Sequence, residues 1–237
     1  MNWAVGVTTV PSRRNDLLPT ALNSLCDAGF SDVHLFVDGC DDPSLYSQFG
    51  RLVSLRPTPA LGIVGNWMLA MWELYVRNPK ANRFVLFQDD ILAVGNLREF
   101  LEKSPYPKKR AFLNLYLNRQ NKAIVKTQKG WHPSNQLCQG ALGLVFDRDA
   151  LHAILSSNHM VAKPLTTPPR DRKNVDGGIS TSMKNAGFIE YVHNPSLLQH
   201  IGRISTVGNT ERDGKTSRYP PIDWFPGENF DAMEFLR

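Results

Sequence analysis

The 237-residue sequence has no apolar run approaching the roughly 18 residues that a membrane-crossing helix requires, so no transmembrane helix is expected. Cysteine is scarce. Cys26, Cys40 and Cys138 are odd in number and show no CxxC spacing, which reads most simply as reduced thiols in a cytoplasmic protein. The opening Met1-Asn2-Trp3-Ala4-Val5 goes straight into a strand-like stretch, without the basic-then-apolar layout of a signal peptide. There is no internal repeat and no low-complexity tract. Acidic residues are missing from one long stretch: between residues 103 and 146 stand Lys103, Lys108, Lys109, Arg110, Arg119, Lys122, Lys126 and Lys129, and no Asp or Glu. The net charge is +5, so the rest of the chain is slightly acidic. Such asymmetry marks either a surface that meets a polyanion or a solvated basic face, and both readings stand.

What is present is enough apolar material, 42% of residues, to build a full core and to exclude a disordered chain. In the first half, strand signals over residues 3–8, 33–37, 52–55 and 83–88 alternate with helical spacing over 17–25 and 64–76. That rhythm predicts an α/β fold with a mostly parallel central sheet covered by helices. Further on, strands are expected over 111–117, 142–146 and 188–193. Helices are expected over 148–155, with Asp147 as N-cap, and over 176–186. The Pro-rich stretch 163–174 reads as a loop, and the Gly-, Thr- and Arg-rich residues after His200 as a loop or tail.

In a parallel sheet, ligands bind beyond the carboxyl ends of the strands. Three strand ends here carry polar groups: Thr8, Thr9, Ser12, Arg13 and Arg14 after the first; Asp38, Asp41 and Asp42 after the second; and Gln88-Asp89-Asp90 after Phe84-Val85-Leu86-Phe87. Two adjacent carboxylates behind four large apolar residues need a counter-charge. A divalent cation with oxygen ligands, Mg²⁺ or Mn²⁺, would supply it; the plainer alternative is a solvated turn that caps the next helix.

The segment Phe84-Val85-Leu86-Phe87-Gln88-Asp89-Asp90 resembles the Asp-x-Asp-type motif of GT-A fold glycosyltransferases. Three further segments fit the same family: Val7-Thr8-Thr9-Val10-Pro11-Ser12-Arg13-Arg14, Phe36-Val37-Asp38-Gly39, and Gly62-Ile63-Val64-Gly65-Asn66-Trp67. The late Asn194-Pro195-Ser196-Leu197-Leu198-Gln199-His200 is similar to a segment whose His reaches the metal or the diphosphate. The resemblance implies a GT-A-like domain over 1–205, with a nucleotide-sugar half (1–92), an acceptor half (93–205) with a smaller β element, and a loop or tail over 206–237. It also implies a donor site built from Thr8, Thr9, Arg13, Arg14, Asp38, Asn66, Gln88, Asp89 and Arg203. The metal, Mn²⁺ or Mg²⁺, would be held by Asp90, Asp89 and His200. Where the family motif begins with an acid this chain has Gln88, which brings no charge, so the metal leans on Asp90 and on His200. Arg203, Arg212, Lys215 and Arg218 would close over the diphosphate, or form a soluble tail.

Asp176, in Asn174-Val175-Asp176-Gly177-Gly178, starts a helix and can be its cap. By the family pattern it is the base that takes the acceptor's hydroxyl proton in an inverting transfer. Trp131 and the Gln139-to-Gly143 stretch lie where the family builds its acceptor wall, although a core Trp is the commoner role. The expected function is a metal-dependent glycosyltransferase using a nucleotide sugar, UDP-linked by expectation. Its acceptor would be a glycan, a small molecule or a modified base in DNA. Two alternatives stand. One is a nucleotidyltransferase, although Val10-Pro11-Ser12-Arg13-Arg14 lacks the glycines that class uses after its first strand. The other is a non-enzymatic module binding nucleic acid through the basic residues 103–129.

Overall fold

The structure, a computed structural model, describes residues 1–104, 106–161, 175–204, 216–217 and 219–237. The expected 163–174 loop and the side chains of Arg212, Lys215 and Arg218 lie outside these residues.

An eight-stranded sheet runs in the order β3-β2-β1-β4-β8-β6-β9-β7. Its first four strands, β1 (Trp3–Thr9), β2 (His34–Asp38), β3 (Val53–Arg56) and β4 (Arg83–Gln88), are mutually parallel, so their carboxyl ends share one edge. Strand β8 (Gly143–Asp147) joins antiparallel to β4 and to β6 (Ala111–Asn114). Strand β9 (Ile189–Asn194) runs parallel to β6, and β7 (Gly130–Pro133) closes the far side antiparallel to β9.

The apolar runs are continuous because both faces of the sheet are buried. Alternate residues feed two cores, as the period of two requires. Val85 and Phe87 of β4, Val5 and Val7 of β1 and Val145 of β8 pack with α1 (Leu17–Asp27) and α3 (Leu97–Lys103). Phe84 and Leu86, Ala4, and Leu144 and Phe146 pack with α2 (Gly62–Arg77), α4 (Arg148–Leu155) and α5 (Val175–Asn185). Helix α1 buries Leu18, Ala21, Leu22 and Leu25, the spacing of one helical face. Helix α4 begins as expected: Asp147 Oδ1 accepts the backbone N–H of Ala150 at 2.8 Å.

Five elements differ from the expectation or were absent from it. The 111–117 strand is hydrogen-bonded only over Ala111–Asn114. Helix α3, strand β7 and a two-stranded antiparallel pair, β5 (Ile91–Ala93) with β10 (Leu198–His200), are additional. The segment after residue 218 has no strand or α-helix, yet it is packed against the domain. Gln199 exchanges hydrogen bonds with the backbone of Ile222, Trp224 donates its indole N–H to the Leu117 carbonyl, and Ala232 is in the first core. Among the described residues no helix is long and apolar enough to cross a membrane.

Phe146 is fully buried, stacked on Phe112 at 5.6 Å and edge-on to Trp67. Phe146→Ala is expected to cost about 3–5 kcal/mol in a denaturant melt. Val76 on α2 is 65% exposed, and Val76→Ala should stay within about 0.5 kcal/mol of wild type.

Candidate active site

The parallel register Thr8↔Gln88 brings the ends of β1 and β4 side by side, and the chain leaves each strand directly into polar residues. Asp89 and Asp90 follow β4 and are 2% and 3% exposed. Pro11, its φ fixed by the ring, opens a single 3-10 turn (Pro11–Arg13) that folds Arg13 back over the strand ends. One guanidinium nitrogen, Nη1, then donates to Asp89 Oδ1 at 2.5 Å and to Asp90 Oδ2 at 2.7 Å. The Thr9 hydroxyl donates to the other Asp89 oxygen at 2.6 Å. Counter-charge for the acid pair thus comes from Arg13, which sequence reading had placed on the nucleotide and not on the acids.

The short β5–β10 pair delivers His200. Ile91 pairs with His200, and the Ile201 N–H donates to the Asp90 carbonyl at 2.9 Å. His200 Nδ1 lies 2.8 Å from the Tyr219 carbonyl, which can only accept, so Nδ1 carries a proton. Nε2 faces Asp90 Oδ2 at 3.2 Å. It meets that carboxylate either as the second N–H of an imidazolium or as a lone pair with a cation between them. Burial lowers the pKa of His200, but the hydrogen bond and charge of Asp90 outweigh it and the net shift is upward. Burial likewise works against an ionised Asp90, and His200 with Arg13 holds it below the ordinary carboxylate value. Asp89 is shifted upward, by burial first, against the pull of Arg13.

This donor set fits a divalent cation. Asp90 Oδ1 is buried with no hydrogen-bond partner among the described residues, and His200 Nε2 faces the other oxygen of the same carboxylate while Nδ1 is fixed by a carbonyl. Gly202 leaves the space: a Cβ there would stand 2.6 Å from Asp90 Oδ2 and 2.9 Å from His200 Nε2. Among the described residues no group of three or more His, Cys, Asp or Glu side chains is assembled at one point. A bound cation would therefore take Asp90, His200 and, after a shift of Arg13, Asp89, completing its shell from water or a phosphate as Mg²⁺ commonly does.

The other expected donor contacts are more dispersed. Asp38 caps α2, accepting from Leu61 N and Gly62 N at 2.8 Å each. Its pKa is raised, by burial first, with those amides opposing. Asn66 is buried, donates to the Phe36 carbonyl at 3.2 Å, and leaves Oδ1 without a partner. Thr8 turns its hydroxyl to the Phe87 carbonyl, and Arg14 reaches Asn15. Arg203 is exposed, with its backbone carbonyl accepting from Ser217 N. Trp131 takes the core role: its ring packs with Phe100 and His193 and its N–H bonds Ser104.

Asp176 forms a second centre, joined to the first through the end of β4. Gln88 donates to the Ala141 carbonyl at 3.1 Å, and the neighbouring Gly140 N–H donates to Asp176 Oδ2 at 2.9 Å. Burial, with the charge of Glu190 adding to it, lifts Asp176 from the ordinary 3.8 to about 6. Gly140 sits at φ 68°, and a Cβ there would stand 2.7 Å from the Tyr116 ring, so only glycine serves. Gln136 and Cys138, neither a glycine, are also left-handed, at φ 61° and 53°. What holds them is Glu190, 1% exposed on β9. It accepts from Ser134 Oγ at 2.6 Å, Cys138 N at 2.9 Å and Asn114 Nδ2 at 2.9 Å. Sequence reasoning missed Glu190, although one acid inside the otherwise apolar 188–193 run is a signal in itself, because such a group must be paired.

No protein-family description matches this chain, and no curated protein sequence does. Solved structures do. A cytidylyltransferase from Leptospira borgpetersenii serovar Hardjo-bovis superposes with a TM-score of 0.50 at 12% identity, over 100% of this chain and 92% of that one. GalNAc-T7, solved with UDP, GalNAc and Mn²⁺, gives a TM-score of 0.55 at 11% identity, over 81% of this chain and 42% of that one. The fold is GT-A-like. At such identities the likeness carries the fold of the α/β sheet and nothing about substrate.

Glu190→Ala leaves the buried Asn114 Nδ2 and Cys138 N, and the half-buried Ser134 hydroxyl, without the acceptor they share. It is expected to lose about 3 kcal/mol or more in a urea melt, the scale of two hydrogen bonds to a charged group. A loss under about 1 kcal/mol would contradict the role given to Glu190 here.

Proposed function

We propose that the chain is a transferase that moves a sugar from a nucleotide-sugar donor to a hydroxyl acceptor. The observation that carries this reading is the convergence of Arg13, Asp89, Asp90 and His200 at the carboxyl edge of β1 and β4. Ligands of open α/β sheets bind at that edge. In this reading residues 1–92 hold the donor and 93–205 the acceptor. Thr8, Arg14, Asp38, Asn66, Gln88 and Arg203 line or flank the donor, which is UDP-linked by preference. Asp90, His200 and Asp89 hold Mn²⁺ or Mg²⁺. When bound, such an ion neutralises the charge that grows on a departing diphosphate.

The chain's own residues do the rest. Asp176 removes the acceptor hydroxyl proton as the acceptor oxygen bonds the sugar's anomeric carbon. The bond from that carbon to the phosphate oxygen breaks, its electron pair leaves with the nucleoside diphosphate, and the sugar centre inverts. The Gly140 N–H holds the Asp176 carboxylate in place, and Arg13 is within reach of the leaving group's edge of the site. Exposed Lys122, Lys126 and Lys129 give the acceptor half a basic face suited to an anionic acceptor such as nucleic acid; a glycan or small molecule is served by the same chemistry.

Nucleotidyl transfer is the second reading, favoured by the full-length superposition on a cytidylyltransferase. Against it, the turn after β1 has no glycine, and its Arg13 is engaged with the acid pair. The products separate the two: nucleoside diphosphate from a sugar donor means glycosyl transfer, pyrophosphate from a nucleoside triphosphate means nucleotidyl transfer. Asp90→Ala should lower metal-stimulated turnover of a UDP-sugar by at least about 10²-fold, and an unchanged rate removes Asp90 from the mechanism.

Asp176→Asn should lower kcat by about 10²–10⁴. With Asp176 titrating near 6, the wild-type rate should rise with pH through that value and level off above it. A rate independent of pH across that region contradicts the base role. Stability moves the other way. A carboxyl raised by folding contributes most below its unfolded value and loses that contribution as pH rises toward about 6.

A further inference from the structure

The contact between Arg13 and the acid pair is close but incomplete. Only Nη1 is engaged, shared between two carboxylates at 2.5 and 2.7 Å. Among the described residues, Arg13 Nε is buried without a partner and Nη2 reaches only the Ile204 carbonyl, at 3.5 Å, the far limit of a hydrogen bond. A guanidinium ordinarily meets an anion with two parallel N–H groups. Here that fork is unused: both hydrogen bonds to the acids come from one nitrogen. On the acid side, Asp90 Oδ1 is likewise buried and unpartnered among the described residues. Arg13 ends a one-turn 3-10 segment, where its side chain is not built into a longer helix.

We propose that Arg13 is a displaceable counter-ion: a divalent cation and the Arg13 guanidinium compete for Asp89 and Asp90, and the diphosphate of the donor accepts Arg13 when the cation takes its place. The inference rests on the donor and metal reading of the site given above. A dication brought to Asp90 meets a fixed positive charge on Asp90 Oδ2, so the cation alone binds weakly. A diphosphate removes that opposition, because its oxygens satisfy the unused Nε and Nη2 of Arg13 while also ligating the cation. Cation and diphosphate therefore strengthen each other's binding, by the same factor in both directions. Without either, Arg13 keeps two buried carboxylates from facing each other uncompensated.

The test titrates Mn²⁺ alone, and Mn²⁺ with UDP, into the whole chain and its Arg13→Gln and Arg13→Lys variants, reading free Mn²⁺ by electron paramagnetic resonance. Arg13→Gln should bind Mn²⁺ alone at least about 5-fold tighter than wild type, and Arg13→Lys, which keeps the charge, should stay near wild type. UDP should tighten Mn²⁺ binding by about 5–150-fold in the wild type and by far less in Arg13→Gln. A second readout needs no variant: phenylglyoxal modification of Arg13 in the wild-type chain, followed by mass spectrometry, should increase when Mn²⁺ is added. Mn²⁺ bound with equal or lower affinity by Arg13→Gln, or labelling that Mn²⁺ leaves unchanged, overturns the competition while the metal site stands. If neither chain binds Mn²⁺, with or without UDP, both the competition and the metal assignment fall.

Discussion

Two neighbouring carboxylates, Asp89 and Asp90, stand almost dry at the end of a central strand, and a buried pair of like charges is untenable without a cation. Much of the site's architecture answers that requirement. The proline-led turn after β1 returns Arg13 across the strand ends, Thr9 bonds the outer oxygen of Asp89, and the β5–β10 pair carries His200 to Asp90 from 110 residues away. Gly202 then closes on the pair with no side chain to obstruct it. The packed C-terminal segment belongs to the same arrangement, because the Tyr219 carbonyl fixes the His200 tautomer and Ile222 fixes Gln199 beside it.

A second requirement shapes the loop that leads into β8. The 134–141 loop takes left-handed conformations at Gln136 and Cys138, each unfavourable for a residue with a Cβ. The buried Glu190 carboxylate holds the loop by two hydrogen bonds, from Ser134 Oγ and Cys138 N, and is itself held by Asn114 of β6. The end of that loop presents one carbonyl to Gln88 and one N–H to Asp176. Gln88 is therefore the link between the two acidic centres. A Gln can donate to the Ala141 carbonyl, which an ionised acid at that position could not.

The parts of this arrangement visible in the sequence are those encoded locally. Four successive apolar residues ending at Gln88 announce a strand buried on both faces, and Asp147 before a helical pattern announces a cap. The order of Asp38, Asp89-Asp90, Asp176 and His200 points to the fold. The parts that were not visible depend on residues distant in the chain. Strands β5 and β10 are three residues each and exist only because they pair with each other. Helix α3 starts from Asn96 in a left-handed conformation, which no apolar period reveals. The acid pair's need for a cation was legible; that Arg13 meets it depends on how β1 and β4 align, across 76 positions. Glu190 lay in plain view, but its role appears only when the loop it holds is seen.

The central claim is that the Asp89–Asp90 edge binds a nucleotide sugar together with a divalent cation. Thermal unfolding of the wild-type chain against a panel of nucleotide sugars, with and without Mn²⁺, tests it most directly. A ligand at a hundredfold excess over its Kd stabilises the native state by about 2.7 kcal/mol. The account predicts such a rise for at least one UDP-linked sugar, larger with Mn²⁺ than without and lost in Asp90→Ala. An unfolding temperature unmoved by every member of the panel, with and without the metal, would contradict it.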